Sequence, residues 1–134
     1  MRHRDRIAVL LLAAVLGWFL LRTLRRFLFP IPDDRCTTHR FDAVAWRDST
    51  RAYSAEAIRG CMVDDLMARV ELRGKARAEV VALLGEPRPT NYFREYDLVY
   101  WLGPEPGLMS IDSEWLVLKL NRSGRVSERK LVTD

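Results

Sequence analysis

Histidine and cysteine are scarce in this chain. Two of each occur in 134 residues: His3, His39, Cys36 and Cys61. The shortage removes most metal chemistry, because Cys36, His39 and Cys61 lack a fourth ligand and match no zinc spacing. It also removes most acid–base and nucleophilic chemistry. His3 belongs to the basic flank of an apolar run. That leaves His39 as the one imidazole available to Ser110, Asp112 or Ser113, and nothing in the sequence draws them together. A phosphate loop is absent as well. The Gly74-Lys75 pair has no glycine five residues earlier, and Ala76 stands where Ser or Thr is required. There is no internal repeat and no low-complexity segment. We expect no enzyme, no cofactor and no metal.

The body of the chain also lacks excess positive charge. The whole sequence has a pI near 9.4, but residues 1–32 hold six Arg and one Asp, a net of +5. Residues 33–134 hold 16 Lys and Arg against 17 Asp and Glu, a net of −1. A nucleic-acid binder carries its basic patch on the folded domain, so that class is set aside.

What is present begins with Ile7 to Leu21, fifteen apolar or small residues flanked by Arg2, Arg4 and Arg6 on one side and Arg22, Arg25 and Arg26 on the other. As a helix the run reaches about 22 Å, against roughly 30 Å of hydrocarbon. Snorkelling arginines, with Trp18 and Phe19 at an interface, close the gap. The alternative is a cleaved signal peptide. The length suits one, but no A-x-A site follows, and Cys36 comes after Asp33-Asp34-Arg35, unlike a lipidation signal. We read residues 1–29 as an uncleaved, single-pass transmembrane anchor. Equal arginine counts on both flanks leave the positive-inside rule undecided. The basic start resembles a signal-anchor, which places the domain outside the cytoplasm.

Residues 30–50 read as a linker and an extended segment, opened by Pro30 and Pro32. Phe41, Val44 and Trp46 supply its apolar contacts. Two readings of the cysteines stay open. A Cys36–Cys61 disulfide would close a loop of about 25 residues, worth about 3–4 kcal/mol. Alternatively both are thiols, with Cys61 on the buried side of a helix.

Residues 51–134 form the domain. Ser54 is read as the N-cap of a helix from Ala55 to Val70, whose stripe is Ile58, Met62, Leu66 and Val70. Asp64, Asp65, Arg69 and Glu71 are read as its solvated side. A second helix runs from Ala76 to Leu84, with Val80, Leu83 and Leu84 inward. Gly74 reverses the chain before it, Gly85 ends it in a left-handed position, and Pro87 prevents continuation. Three strands follow. In Glu95–Leu102, Tyr96, Leu98, Tyr100 and Leu102 face one way, and Asp97, Val99 and Trp101 the other. In Glu114–Leu120, Leu116, Leu118 and Leu120 oppose Trp115, Val117 and Lys119. Asn121–Gly124 turns the chain into Val126–Val132. The class is α+β: two short helices packed on a three-stranded antiparallel sheet (ααβββ), preceded by the transmembrane helix.

Gly74, Val80, Leu84, Gly85 and Pro87, with Arg94-Glu95-Tyr96-Asp97-Leu98-Val99-Tyr100, carry a resemblance. Over residues 58–132 the chain resembles the SmpA/OmlA (BamE-like) domain family. In that family a glycine opens a short helix that ends in Leu-Gly-x-Pro, before the first strand. The chain differs in having no lipidated cysteine and in Ala76, where the family has Ser or Thr. The resemblance implies a non-enzymatic binding module on the periplasmic side of the bacterial envelope. It also implies protein partners linked to outer-membrane protein assembly, and in some members anionic lipid.

The contact surface expected from the residues is one sheet face and its loop: Asp97, Val99, Trp101, Trp115, Leu108 and Met109. The competing reading packs Trp101 and Trp115 against each other or under Phe41 and Trp46. An alternative function is an inhibitor or sensor that docks an envelope component through the 103–112 loop, with Leu108-Met109 as its tip.

Overall fold

The computed structural model describes residues 16–18, 20, 36, 40–106 and 111–134. The chain divides into two units, Met1–Pro32 and Asp33–Asp134. In the first, Leu16, Gly17, Trp18 and Leu20 are helical, and Leu16, Trp18 and Leu20 are exposed. Among the described residues no helix is long and apolar enough to cross a membrane. Most of the expected anchor, residues 7–21, lies outside the described residues. So do His3, His39, Leu108, Met109 and Ser110.

The second unit is α+β, with a three-stranded antiparallel sheet and several helices. In chain order these are α1 (Ala43–Arg47), α2 (Ser49–Ala52), α3 (Ile58–Arg69), α4 (Arg77–Leu84), β1 (Leu98–Pro104), β2 (Ser113–Leu120) and β3 (Val126–Thr133). The sheet order is β1-β2-β3. Helices and one sheet face share a core that includes Trp46, Ile58, Met62, Leu66, Val80, Leu84, Leu98, Tyr100, Leu102, Leu116, Leu118 and Val126. The alternation read from β1 and β2 is what splits these residues from Val99, Trp115 and Val117 on the opposite face.

Several expectations fail locally. The 37–50 segment is not extended throughout, because Asp42 and Asp48 each cap a short helix. Their carboxylates accept from the N–H groups of Ala45 at 2.7 Å and Thr50 at 3.0 Å, which satisfies otherwise orphaned donors. These turns bring Trp46 to full burial. Ser54 does not cap α3. Its hydroxyl donates to the Arg51 carbonyl, and the helix starts after Ala57, held at φ 44. Tyr96 precedes β1 and packs with the opposite face, beside Trp115.

At the end of α4, Gly85 has φ 80 with ψ 167. The angle φ is positive, but the backbone is extended rather than left-handed helical. Its carbonyl accepts from the Tyr100 hydroxyl at 2.8 Å. Burial raises the Tyr100 phenol well above its usual range, so the group stays a neutral donor. At the start of α4 Ala76 has no capping side chain. The Glu79 carboxylate instead accepts from the Ala76 N–H at 2.7 Å, one half of a capping box.

Small residues let α3 meet β1 closely. A β-bulge interrupts the β1–β2 register between Trp101 and Gly103. There Gly103 takes φ 132, and a Cβ on it would lie 2.4 Å from the Cβ of Ala57. The same helix start places Gly60 so that a Cβ would be 3.0 Å from the Leu102 carbonyl oxygen.

Cys36 and Cys61 form a disulfide, with Cα atoms 5.5 Å apart. The same helix holds the incoming chain a second way. Asp65 accepts from the Phe41 N–H at 2.8 Å and also meets Arg69, so it is a tether rather than part of a solvated face. The Phe41 hydrogen bond, ahead of the Arg69 contact, holds the Asp65 carboxyl below the ordinary carboxylate range.

Three outcomes follow. Gly103→Ala should destabilise the domain by about 3 kcal/mol through overpacking and backbone strain, read by urea denaturation. Gly124→Ala, with open space at its Cβ position, should cost only the strain of its positive φ, about 1 kcal/mol. For Asp65 the folded pKa is depressed, so its contribution is present at neutral pH and is lost as pH falls below about 4. Asp65→Asn should therefore flatten the acid limb of the stability–pH curve, and an unchanged limb would discard the tether.

Candidate functional site

Helices cover only one sheet face. The other carries Val99, Trp115 and Val117, with Trp101 and Val132 packed beside them. The loop between α4 and β1 folds back over part of it. Tyr92 and Phe93 pack on Trp115, with ring centroids at 5.4 and 6.1 Å. The loop holds this pose with Phe93 at φ 51, a conformation that costs a non-glycine residue about 1–2 kcal/mol. From the end of α2, Tyr53 stacks on Trp101, with centroids 5.8 Å apart and planes inclined by 7°. The Arg88 guanidinium lies 3.8 Å from the centroid of the same Tyr53 ring.

Between these walls is a depression of about 390 Å³ lined by Tyr53, Arg88, Pro89, Thr90, Tyr92, Val99, Trp101 and Trp115. A second, of about 370 Å³, shares Arg88, Pro89, Thr90, Tyr92 and Val99 and extends over Arg77, Arg94, Tyr96 and Asp97. With five residues in common they make one groove. Its charges are unevenly matched. Arg77 pairs with Glu86 at 2.5 Å, and that hydrogen bond raises the Arg77 pKa further. The Asp97 carboxylate accepts from the Leu120 N–H at 2.7 Å. Arg88 and Arg94 make no ion pair among the described residues. The buried indole N–H of Trp115 finds no acceptor there either.

The groove wall is braced from inside by Arg59, which is only 3 % exposed. Its Nε donates to the Trp46 carbonyl at 2.9 Å, and one terminal nitrogen donates to the Tyr53 hydroxyl at 3.2 Å. Its guanidinium carbon lies 5.1 to 5.8 Å from the ring centroids of Tyr53, Trp46 and Tyr100. Three aromatic faces and two acceptors thus surround a cation that meets no carboxylate among the described residues.

Of the residues expected at a contact surface, Val99, Trp101 and Trp115 come together here. Val99 and Trp115 are nearly buried and form the floor, while Trp101 is a half-buried wall. Trp101 stands opposite Trp115 in the β1–β2 register and packs on its cluster, as the first arm of the competing reading has it; the second arm fails, because Trp46 packs with Phe41 and Tyr100 instead. Asp97 sits in the groove's second half, engaged with β2. Leu108 and Met109, the expected loop tip, lie outside the described residues. Sequence reasoning missed Tyr53, Arg88 and Tyr92. The run Pro87-Arg88-Pro89-Thr90-Asn91-Tyr92-Phe93 was the available signal, since two prolines and two aromatics in seven residues are unusual for a plain connector.

Both cysteines are spent in the disulfide, and among the described residues no cluster of His, Cys, Asp or Glu could hold a metal. The Glu114 carboxyl is raised above its ordinary range by burial and then by Asp64 and Glu105. Comparison with family models, curated proteins and solved structures finds no match. The groove is therefore read from its own geometry.

If Arg59 braces the wall, truncating it leaves two acceptors and three ring faces without their donor. Arg59→Ala should destabilise by about 3 kcal/mol. Arg59→Lys should recover only part of this, because an ammonium lacks the planar fork. Equal stability of the wild type and Arg59→Lys in thermal melts would remove Arg59 from this role.

Proposed function

We propose that this chain is a membrane-anchored, non-enzymatic protein-binding module of the bacterial cell envelope. The single observation that carries the reading is the aromatic groove on the helix-free face of the sheet. Tyr and Trp side chains around a concave, partly desolvated floor are the composition of interface hot spots.

The anchor rests on residues 7–21 and on the exposed Leu16, Trp18 and Leu20, whose apolar side chains call for apolar surroundings. The domain is assigned to the periplasmic side, because a disulfide between Cys36 and Cys61 persists in an oxidising compartment. The link to the SmpA/OmlA family rests on the sequence resemblance over residues 58–132. On that resemblance the partner is a protein connected with outer-membrane protein assembly, with anionic lipid as a second contact.

The test joins topology with contact. Thiol labelling from outside intact spheroplasts should modify Cys36 and Cys61 only after reduction. Labelling that needs lysis would put the domain in the cytoplasm. A photocrosslinker placed at Thr90 of the full chain should give a discrete protein adduct in cells, lost in the Trp101→Ala background. An adduct pattern indifferent to Trp101, or no adduct, would remove the groove as the contact surface.

A further inference from the structure

We propose that the groove takes an extended, proline-bearing acidic segment of its protein partner, an inference that rests on the binding reading above. The walls are ring faces. Tyr53, Tyr92 and Trp101 stand around a floor of Val99 and Trp115, and proline rings pack well on such surfaces. The charged groups on this surface are donors: the Arg88 guanidinium lies over the Tyr53 ring, and Arg94 donates to the Asn91 side-chain oxygen.

Two side-chain acceptors of the groove are engaged. The Thr90 hydroxyl accepts from the Tyr92 N–H, and one oxygen of the Asp97 carboxylate accepts from the Leu120 N–H. A proline-rich segment brings few N–H groups, and in the polyproline II conformation its carbonyls are unbonded and point outward. Such a segment also loses little conformational entropy on docking. Its charge follows from Arg88 and Arg94, which make no ion pair among the described residues and outnumber Asp97, the one carboxylate of the lining that meets no cation there. Arg77 is already neutralised by Glu86.

Calorimetric titration of the full chain in detergent micelles tests this with synthetic peptides. One alternates proline and glutamate, one replaces proline by alanine, and one replaces glutamate by lysine. The proline–glutamate peptide should bind and shift the NMR resonance of the Trp115 indole N–H, and each control should bind about tenfold more weakly or worse. Arg88→Glu, an exposed change that leaves the fold intact, should reverse the charge preference and favour the proline–lysine peptide. Equal binding of the alanine control, or no reversal in Arg88→Glu, overturns the proposal. If no peptide binds while the Thr90 crosslink still forms, this inference falls and the binding module stands. If neither occurs, both fall.

Discussion

A guanidinium enclosed by three aromatic rings ties the two faces of this small sheet together. Arg59 sits near the start of α3, at the margin of β1. Its contacts run to Trp46 and Tyr100, which belong to the helix-covered core. They also run to Tyr53, which stacks on Trp101 on the opposite face. The chain from residue 46 to 53 therefore passes from one side of the sheet to the other with Arg59 as its fixed point. Burying a cation is unfavourable unless its field is answered. Here ring quadrupoles and two oxygen acceptors answer it, and the planar fork fits this set where a flexible ammonium does not.

The close approach of α3 to β1 follows from the same geometry. Ala57, just ahead of the helix, and Gly60 on it meet Gly103 and Leu102 on the strand, with no room for a further carbon at Gly103. That contact, the disulfide and the Asp65–Phe41 hydrogen bond all act on α3. One twelve-residue helix thus fixes the incoming chain, the core and the edge of the sheet. In a domain of about 100 residues, where the buried core is modest, such concentration is expected.

The core side of this arrangement was largely legible in the sequence. Period-two alternation separates Leu98, Tyr100 and Leu102 from Val99 and Trp101, and the i+4 series Ile58, Met62, Leu66 marks the buried stripe of α3. The failures have physical causes. Tyr96 continues the alternation on paper, but strand pairing begins at Leu98, so its side follows the loop. Ser54 satisfies a capping rule, yet the turn it stabilises ends in a left-handed Ala57, whose Cβ has room only because Gly103 stands opposite. The 43–52 helices are too short for periodicity to show, although Asp42 and Asp48 marked their starts. The groove was half legible. Its floor lies on the strand read as outward, but its walls come from Tyr53 and the 88–93 loop, which are distant in sequence and carry no periodic signal.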